Sequence, residues 1–345
     1  MARVLVTGAA GQVGSRLVRQ LLARDHEVRG LILPDDPARS RLDGLEIEVV
    51  AGDLMDPETA EKAVAGVDAV VHTANLVGPL PGMSESQFFD NNVRTTFHMA
   101  RAAARVADRL QRFVHISSSA VYPNDSQQLR PCYSPIDEAH PLRPRGVYAL
   151  SKLIGEHILS ATSRETGLPV AFIRPSGIVS GTAVLGRWTV GFVSKMLRVG
   201  QATPEGELYM ADGTELWHAL DAAAESDRQP CAITDTQGRP WMYRLADARD
   251  VAHACVCALE SPAAVGEAFN AAAPEPIYYT EAAEALSEAI GMPVVKWQVP
   301  VRWVFDLSIT KARSLIGYKP RWGIRQMIAD AIAVQRGESD GMSWD

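Results

Sequence analysis

The stretch Val4-Leu5-Val6-Thr7-Gly8-Ala9-Ala10-Gly11-Gln12-Val13-Gly14 decides the fold of this chain. Its first part, Val4 to Val6, is a short apolar run rich in β-branched side chains, which predicts a buried strand. After the three glycines, Ser15 to Ala23 has apolar residues at helical spacing. A strand, a glycine-rich turn and a helix N-terminus together form an anion site, because free backbone N–H groups and the positive end of the helix dipole face the same point.

Each glycine has a separate role in such a turn. Gly8 permits the tight turn, Gly11 lets a pyrophosphate approach the backbone, and Gly14 lets the helix pack close to the strand. Because strand and helix patterns lie on either side of the glycines, we predict dinucleotide binding rather than an ordinary turn. The residues expected to contact the dinucleotide here are Gly8, Ala10, Gly11, Gln12 and Val13.

Composition and charge exclude several classes of function. The chain has 345 residues, of which 47% are hydrophobic and 22% are charged, as in ordinary globular proteins. A formal net charge of −7 argues against a nucleic-acid partner. No apolar run reaches the ~18 residues that a membrane span needs, and the first strand leaves no room for a signal peptide. We therefore expect a cytoplasmic protein with no nucleic-acid or membrane partner.

The four cysteines do not predict a disulfide framework in a chain of this length. Cys255 and Cys257 are two residues apart in a predicted helix, so they point to different faces and make a poor metal pair. We therefore expect reduced thiols and no metal site.

Strand and helix patterns alternate through the first half of the chain, which predicts an α/β fold with a doubly wound parallel sheet. After the first strand, further strands are predicted at Glu27 to Leu33, Glu46 to Val50, Val67 to His72, Arg112 to Ser117 and Val170 to Arg174. Helices are predicted to start at Asp56-Pro57-Glu58 and to cover Ser84 to Asp108 and Gly146 to Thr166. In such sheets the ligand lies beyond the carboxyl ends of the strands.

The alternation breaks after Pro175, which suggests two domains. We interpret residues 1–175 as the dinucleotide-binding domain and residues 176–337 mainly as a smaller, C-terminal, substrate-binding lobe. A helix at Asp250 to Leu259 and a strand at Glu267 to Ala271 are expected to return residues 241–272 to the first domain. The last residues, from Gly337, are expected to be frayed.

Tyr148 and Lys152 are the strongest candidates for proton transfer. They are four residues apart at the start of a predicted helix, which places them on one face. A tyrosine with a pKa near ~10 is a poor base at neutral pH, but a nearby ammonium group favours the phenolate and lowers that pKa. The pair therefore suits proton transfer to or from a substrate hydroxyl.

A serine cluster, Ser117-Ser118-Ser119-Ala120-Val121-Tyr122, ends the fifth predicted strand. With Thr7 and the Gly-x-x-Gly-x-x-Gly spacing, it resembles the extended branch of the short-chain dehydrogenase/reductase superfamily. The resemblance implies a Rossmann-type fold, and it implies that Ser118 is the catalytic serine that hydrogen-bonds the reacting oxygen. Ser119 is the alternative if the register differs by one residue. The resemblance covers nearly the whole chain, except Glu205 to Pro240.

Further segments of the chain resemble the same family. Asp53 resembles the acidic residue that contacts adenine, and His72-Thr73-Ala74-Asn75 resembles a segment whose backbone lines the cofactor, with His72 itself structural. The segment at Asn92 matches a family helix only in part, since Thr95 replaces its glycine. These segments imply cofactor contacts from Asp53, Leu54, Thr73, Ala74, Asn75, Asn92, Tyr148, Lys152 and Pro175. They imply substrate contacts from Val77, Ser119, Tyr122 and Ser176.

The substrate pocket is expected to draw on two less regular segments. Leu76 to Met83 is apolar and rich in turn residues, so it is either a substrate-facing loop or a buried connection. The segment from Trp188 to Trp217 is the second contributor. Trp217 and His218 could form a lid, a dimer contact or neither.

The chain departs from the family pattern at two positions. The acidic residue that commonly ends the second strand of NAD-specific members is replaced by Ile32, although Asp35 and Asp36 follow closely. Because an acidic pair repels a 2′-phosphate while Arg39 and Arg41 could attract one, we favour NAD and keep NADP open. Many nucleotide-sugar enzymes have an asparagine where this chain has Gly177, which favours small alcohols or ketones.

The resemblance implies an NAD(P)-dependent oxidoreductase that acts on a secondary alcohol or ketone, a sugar-like or steroid-like small molecule. An NAD-dependent sugar or nucleotide-sugar epimerase is the first alternative, and a non-catalytic dinucleotide sensor on the same fold is the second. The helices at Ser84 to Asp108 and Gly146 to Thr166 resemble the pair that forms a four-helix dimer interface in this family, which implies a homodimer.

Overall fold

The computed structural model describes residues 1–123 and 129–344, and its centre is a seven-stranded parallel sheet. The strands are β1 Arg3–Thr7, β2 Glu27–Ile32, β3 Glu48–Ala51, β4 Ala69–His72, β5 Arg112–Ile116, β6 Val170–Pro175, β7 Ile178–Val179, β8 Cys231–Asp235, β9 Met242–Tyr243, β10 Ala246–Asp247, β11 Ala268–Ala271, β12 Val295–Val299 and β13 Val304–Phe305. The sheet runs β11-β6-β5-β4-β1-β2-β3, with every neighbouring pair parallel. The predicted Rossmann-type sheet is confirmed.

Several helices begin at a capping side chain or end at a glycine. They are α1 Gln12–Leu22, α2 Pro57–Val64, α3 Glu85–Ala104, α4 Gly146–Thr166, α5 Val190–Gln201, α6 Leu216–Ala223, α7 Ala248–Glu260, α8 Tyr279–Ile290, α9 Thr310–Ile316 and α10 Ile324–Arg336. The Asp56 side chain caps α2, and Ser84 and Gln87 form a capping box at α3. Gly167, at φ +75°, ends α4 in the left-handed region. Helix α3 ends at Ala104 rather than at the predicted Asp108.

The central strands of the sheet are buried on both faces, whereas the edge strand β3 is largely exposed. Along β1, Val4 and Val6 belong to the core cluster that includes α1 and α7, while Leu5 belongs to the cluster that includes α3 and α4. Successive side chains of a strand point to opposite faces, so one apolar run supplies both cores. This layering leaves the carboxyl ends of the strands as the open edge.

The chain returns to the central sheet after residue 241, as the sequence predicts. Strand β11 pairs with β6 in parallel, and α7 packs against α1 beneath the sheet. We therefore propose that the segment containing α7 and β11 belongs to the dinucleotide-binding domain. The later strand pairs β8–β12 and β9–β13 lie outside this sheet, and we propose that they belong to the smaller lobe.

The C-terminal residues after Gly337 are packed against the protein, so the expected fraying is wrong. The buried guanidinium of Arg16 donates a hydrogen bond to the Gly341 carbonyl at 2.6 Å. The Trp344 ring stacks on His253 with 4.5 Å between ring centroids. These contacts hold the tail against α1 and α7.

All four cysteines lie in the described ranges and are free thiols. Burial raises the pKa of Cys257 to about 11, which keeps this thiol protonated near neutral pH. In the same ranges, no helix combines the length and the apolar character that crossing a bilayer requires. The cytoplasmic location stays a prediction.

Candidate active site

A cavity of about 940 Å³ lies beyond the carboxyl ends of β1, β4, β5 and β6. It brings together segments that are far apart in the sequence, from the glycine-rich turn to the end of β6. The predicted site residues that line it are Gly8, Gly11, Gln12, Val13, Asp53, Leu54, Thr73, Ala74, Asn75, Val77, Ser118, Tyr148, Lys152, Pro175 and Ser176.

The glycine-rich turn has the geometry of an anion cradle. Gly8 is at φ +64°, and a Cβ there would lie 3.0 Å from the Ala74 Cα. A Cβ at Gly14 would lie 2.2 Å from the Gly8 carbonyl oxygen, so only glycine lets α1 start this close to the turn. Gly11 caps α1 with no side-chain hydrogen bond, which leaves the first N–H groups of the helix for an anionic ligand.

Thr7 ties this turn to the end of β4. Its Oγ1 accepts hydrogen bonds from the backbone N–H groups of Thr73 and Ala74, both at 3.2 Å. The Thr73 hydroxyl donates to the Thr7 carbonyl at 2.7 Å. The two walls of the predicted cofactor groove are therefore fixed to each other.

Two stacked histidines lie beneath the site. The rings of His72 and His115 are 5.5 Å apart and fully buried. Burial, with a smaller contribution from the charge of Lys152, lowers the pKa of His72 to about 3 and lowers that of His115 well below its usual range. Both imidazoles are therefore neutral, and His72 bonds Thr7 at 2.8 Å and Thr96 at 3.3 Å in the structural role expected for it.

Lys152 is a buried ammonium group next to the cavity. Its Nζ donates to the Ile116 carbonyl at 2.5 Å. Burial lowers the pKa of Lys152 to about 7, although the nearby Glu156 carboxylate raises it. Tyr148, one turn earlier on α4, is half-buried and lines the same cavity. Both members of the predicted proton-transfer pair therefore lie at the same cavity.

One serine of the cluster, the predicted catalytic Ser118, is a cavity residue. Ser118 lines the cavity, and its Oγ accepts from the Ala120 N–H at 3.1 Å. Ser119, the alternative catalytic serine and a predicted substrate contact, is fully buried and does not line the cavity. Two further hydroxyls, of Ser117 and Ser176, line it and have no hydrogen-bond partner within the described residues. Ser117 was not identified from the sequence, because adjacent serines cannot be ranked by pattern alone.

Asn92 and Ala10 do not line the cavity, and their predicted cofactor contacts stay predictions. The Asn92 Oδ1 accepts from the Leu76 N–H and its Nδ2 donates to the Leu76 carbonyl, both at 2.9 Å. Asn92 therefore holds the loop that follows β4. Ala10 is fully buried in the turn, and its carbonyl accepts from Arg41 at 3.1 Å.

Tyr122, a predicted substrate contact, does not line the cavity and is buried. Its hydroxyl donates to Asn270 Oδ1 at 3.0 Å and accepts from Arg174 at 2.8 Å. Arg174 in turn forms a buried bidentate ion pair with Glu156, at 2.9 and 2.6 Å. Tyr122 is thus part of a buried polar network that joins β6, β11 and α4.

The end of β2 shows which acidic residue reaches the cavity. Ile32 and Leu33 line it, and Asp36 lines it as well, whereas Asp35 does not. Arg41 is held by the Ala10 carbonyl described above. Asp36 is therefore the carboxylate on this wall.

The apolar loop after β4 is at the cavity surface rather than in the core. Leu76, Val77, Leu80 and Met83 line the cavity, and Val77 is 84% exposed. Of the second expected segment, Trp188 is 1% exposed in the core, and its neighbour Arg187 lines the cavity instead.

Tyr243 is a cavity residue that the sequence did not indicate. A Cβ at Gly177 would lie 2.4 Å from the Tyr243 hydroxyl oxygen, so this tyrosine fills the space of a side chain at position 177. The two residues are distant in sequence, and no motif connects them.

The glycine-rich turn, the uncapped helix and the cavity at the strand ends define a dinucleotide-binding α/β protein. The model of the NAD dependent epimerase/dehydratase family matches residues 4–272, and the chain belongs to this family. At family level the chain is thus an NAD-dependent dehydrogenase or epimerase.

The proteins to which this chain is similar include a hydroxysteroid dehydrogenase and two proteins of known structure. The 3 beta-hydroxysteroid dehydrogenase/Delta 5-->4-isomerase of Mycobacterium tuberculosis is 26% identical over 376 residues, covering 96% of this chain and 90% of the relative. A short-chain dehydrogenase/reductase superfamily protein from Agrobacterium tumefaciens, solved with bound NAD, is 27% identical with a TM-score of 0.77 and covers 97% of each chain. UDP-glucuronic acid 4-epimerase from Bacillus cereus shares the fold, at 19% identity and a TM-score of 0.71, over 97% of this chain and 99% of that chain.

Proposed function

We propose that the protein is an NAD-dependent oxidoreductase that acts on a secondary alcohol or ketone with a largely apolar skeleton. The observation that carries this proposal is the placement of Ser118, Tyr148 and Lys152 on one cavity with the glycine-rich turn. The presence of both Tyr148 and Lys152 argues against a non-catalytic dinucleotide sensor.

The residues of the groove fit a dinucleotide. The turn from Gly8 to Val13 and the free N–H groups of α1 would hold its pyrophosphate. Asp36 would face the adenosine ribose, and Asp53 the adenine. A carboxylate at Asp36 favours NAD over NADP, because it would repel a 2′-phosphate. The bound NAD of the Agrobacterium protein supports the same choice.

Proton transfer is assigned to this chain's own side chains. In the oxidative direction, the Tyr148 phenolate takes the proton of the substrate hydroxyl, and Ser118 holds the same oxygen by a hydrogen bond. The Lys152 ammonium favours the phenolate by its charge, and the Ile116 carbonyl keeps it in place. The nicotinamide, when bound, supplies the hydride chemistry. In the reductive direction Tyr148 returns the proton.

The cavity wall favours a steroid-like alcohol over a nucleotide sugar. The loop that contributes Val77, Leu80 and Met83 is apolar, and Tyr243 fills the space next to Gly177. The relative that covers most of the chain is a hydroxysteroid dehydrogenase. Epimerisation is the second candidate, because the family and the Bacillus neighbour include it. An epimerase needs no added cofactor and gives no net change in NADH absorbance.

The test is the variant Tyr148→Phe, with Tyr278→Phe, at the exposed N-cap position of α8, as the matched control. NAD binding is measured by calorimetry, and turnover by NADH absorbance over a panel of 3β-hydroxysteroids. We expect Tyr148→Phe to keep NAD binding and to lose at least about 100-fold in kcat, the contribution of a positioned general base. Retained turnover with intact NAD binding contradicts the proposal.

We also propose that the protein is a homodimer through α3 and α4. These helices pack against each other and leave Phe97 and Leu150 exposed, at 48% and 43%. Large apolar side chains on neighbouring exposed faces are typical of an interface. Light scattering after size-exclusion chromatography measures the mass, and a monomer at micromolar concentration contradicts this assignment.

A further inference from the structure

Arg187 is a cation on the cavity wall that the mechanism does not use. Its side chain is half-buried and lines the cavity beyond β6. Over residues 1–123 and 129–344, no carboxylate lies within ion-pair distance of its guanidinium. The cavity carboxylates Asp36 and Asp53 follow β2 and β3, on the side of the predicted adenosine site. A half-desolvated guanidinium without a counter-charge is costly unless a ligand supplies one.

The backbone next to Arg187 is strained in a way that directs this side chain. Trp188 is at φ +38°, a left-handed conformation that a bulky residue rarely adopts. Its indole is buried in the core, and its carbonyl accepts from the Cys231 N–H at 2.8 Å. Thr189 caps α5 through its hydroxyl, at 3.3 Å from the Phe192 nitrogen. Trp188 thus places its own indole in the core, while the preceding residue, Arg187, faces the cavity.

Arg187 is also held in position before any ligand binds. Its guanidinium lies over the Phe192 ring, 4.8 Å from the centroid. The same cavity wall includes Ile178 and Tyr243, which present mainly apolar surface. A planar guanidinium on such a wall matches a carboxylate or phosphate, which it binds through two parallel hydrogen bonds.

We propose that the substrate carries an anionic group, a carboxylate or phosphate, and that Arg187 is the specificity-determining residue that binds it. This proposal rests on the proposed function, since it describes the substrate of the same cavity. Arg187 is not assigned to the pyrophosphate of the dinucleotide, because the turn at Gly8 to Val13 is proposed to bind that group. The substrate class becomes an apolar secondary alcohol or ketone with one acidic group.

The test uses simple probes that differ in charge. Octanoate, octyl phosphate and octan-1-ol are titrated by calorimetry into NAD-saturated and NAD-free protein. For the native chain we expect at least one of the two anions to bind at least about tenfold more tightly than the alcohol. The better of the two identifies the acidic group. Equal affinities of all three probes overturn the proposal.

Three variants assign the effect to Arg187. Arg187→Gln should abolish the preference for the anion. Arg187→Lys should keep part of it, because the positive charge remains while the two parallel N–H donors of the guanidinium are lost. Arg336→Gln removes the same charge from the exposed end of α10 and should leave the preference unchanged. A preference that survives in Arg187→Gln, with an unchanged urea midpoint, overturns the assignment.

Turnover provides a second readout. In a series of hydroxyoctanoates, Arg187→Gln should raise KM for the acid and leave KM for its methyl ester and kcat unchanged. A KM for the acid that stays the same overturns the proposal. Failure of the proposed function is distinguishable, because it appears as absent NAD binding or absent turnover with neutral alcohols. The anion preference of NAD-free protein still tests Arg187 in that case.

Discussion

Replacing Lys152 with methionine should make the cofactor-free protein more stable at pH 6.5, and this gain should disappear as the pH rises. The reason is the buried ammonium group of Lys152. The charge that stabilises it on α4 is the carboxylate of Glu156, one turn away. Methionine has a similar length and no charge, so it removes the desolvation cost and keeps most of the packing.

The magnitude follows from the pKa of Lys152. Burial lowers this pKa from 10.5 to about 7, which corresponds to roughly 5 kcal/mol of folding free energy. The variant also loses the hydrogen bond to the Ile116 carbonyl, at a cost of about 1–3 kcal/mol that does not depend on pH. We therefore expect a net gain of about 2–4 kcal/mol at pH 6.5.

The sign of the pH dependence is fixed by the direction of the shift. Between pH 7 and 10.5 the unfolded chain holds the Lys152 proton and the folded protein has released it. The stability of the native protein therefore rises with pH in this window relative to the variant. Below pH 7 both states are protonated, and the full cost of burial is present.

Urea unfolding of both proteins at half-unit steps from pH 6.5 to 9.5 measures the difference directly. Lys62→Met is the matched control, because Lys62 is 72% exposed on α2. We expect the control to show no pH-dependent difference from the native protein. A Lys152→Met difference that stays constant from pH 6.5 to 9.5, or a variant that is less stable at pH 6.5, refutes the reasoning.

Two further predictions concern packing and the buried ion pair. Gly14→Ala places a Cβ 2.2 Å from a backbone carbonyl oxygen of the turn. We therefore expect the free energy of unfolding in urea to fall by about 1–3 kcal/mol and NAD binding to weaken about tenfold. Gly78→Ala, which meets nothing within 4 Å, should change neither, and an equal effect of both variants contradicts the close-packing argument. Glu156→Gln leaves Arg174 buried without its partner and should cost about 3–5 kcal/mol. Replacing the exposed Glu165 by Gln should lower the free energy of unfolding by less than about 1 kcal/mol. Similar losses in the two variants would contradict the larger stabilisation expected of the buried ion pair.

The parts of the site that sequence could predict are local. The predicted dinucleotide-binding segment is a strand, a glycine-rich turn and a helix that follow one another in the chain. Tyr148 and Lys152 share a helix face because they are one helical turn apart. Ser118 follows directly from the end of β5. In each case residues close in the chain fix the geometry, so the local sequence pattern is enough to predict where the side chain lies.

The parts that sequence did not predict depend on distant contacts. Tyr243 reaches Gly177 from another strand, and Arg187 faces the cavity because of a single strained residue after it. The packing of Trp344 on His253 gives no local pattern either. Tyr122 has the residue type of a substrate contact, but its partners on β6 and β11 turn its hydroxyl into the core.

The neutral histidines under the cavity change how a pH–rate profile of this protein is interpreted. An inflection near neutrality is commonly assigned to imidazole, which ordinarily titrates there. In this protein His72 and His115 stay uncharged through that range, whereas Lys152 changes charge near pH 7. A kinetic pKa near 7 would therefore report an amine.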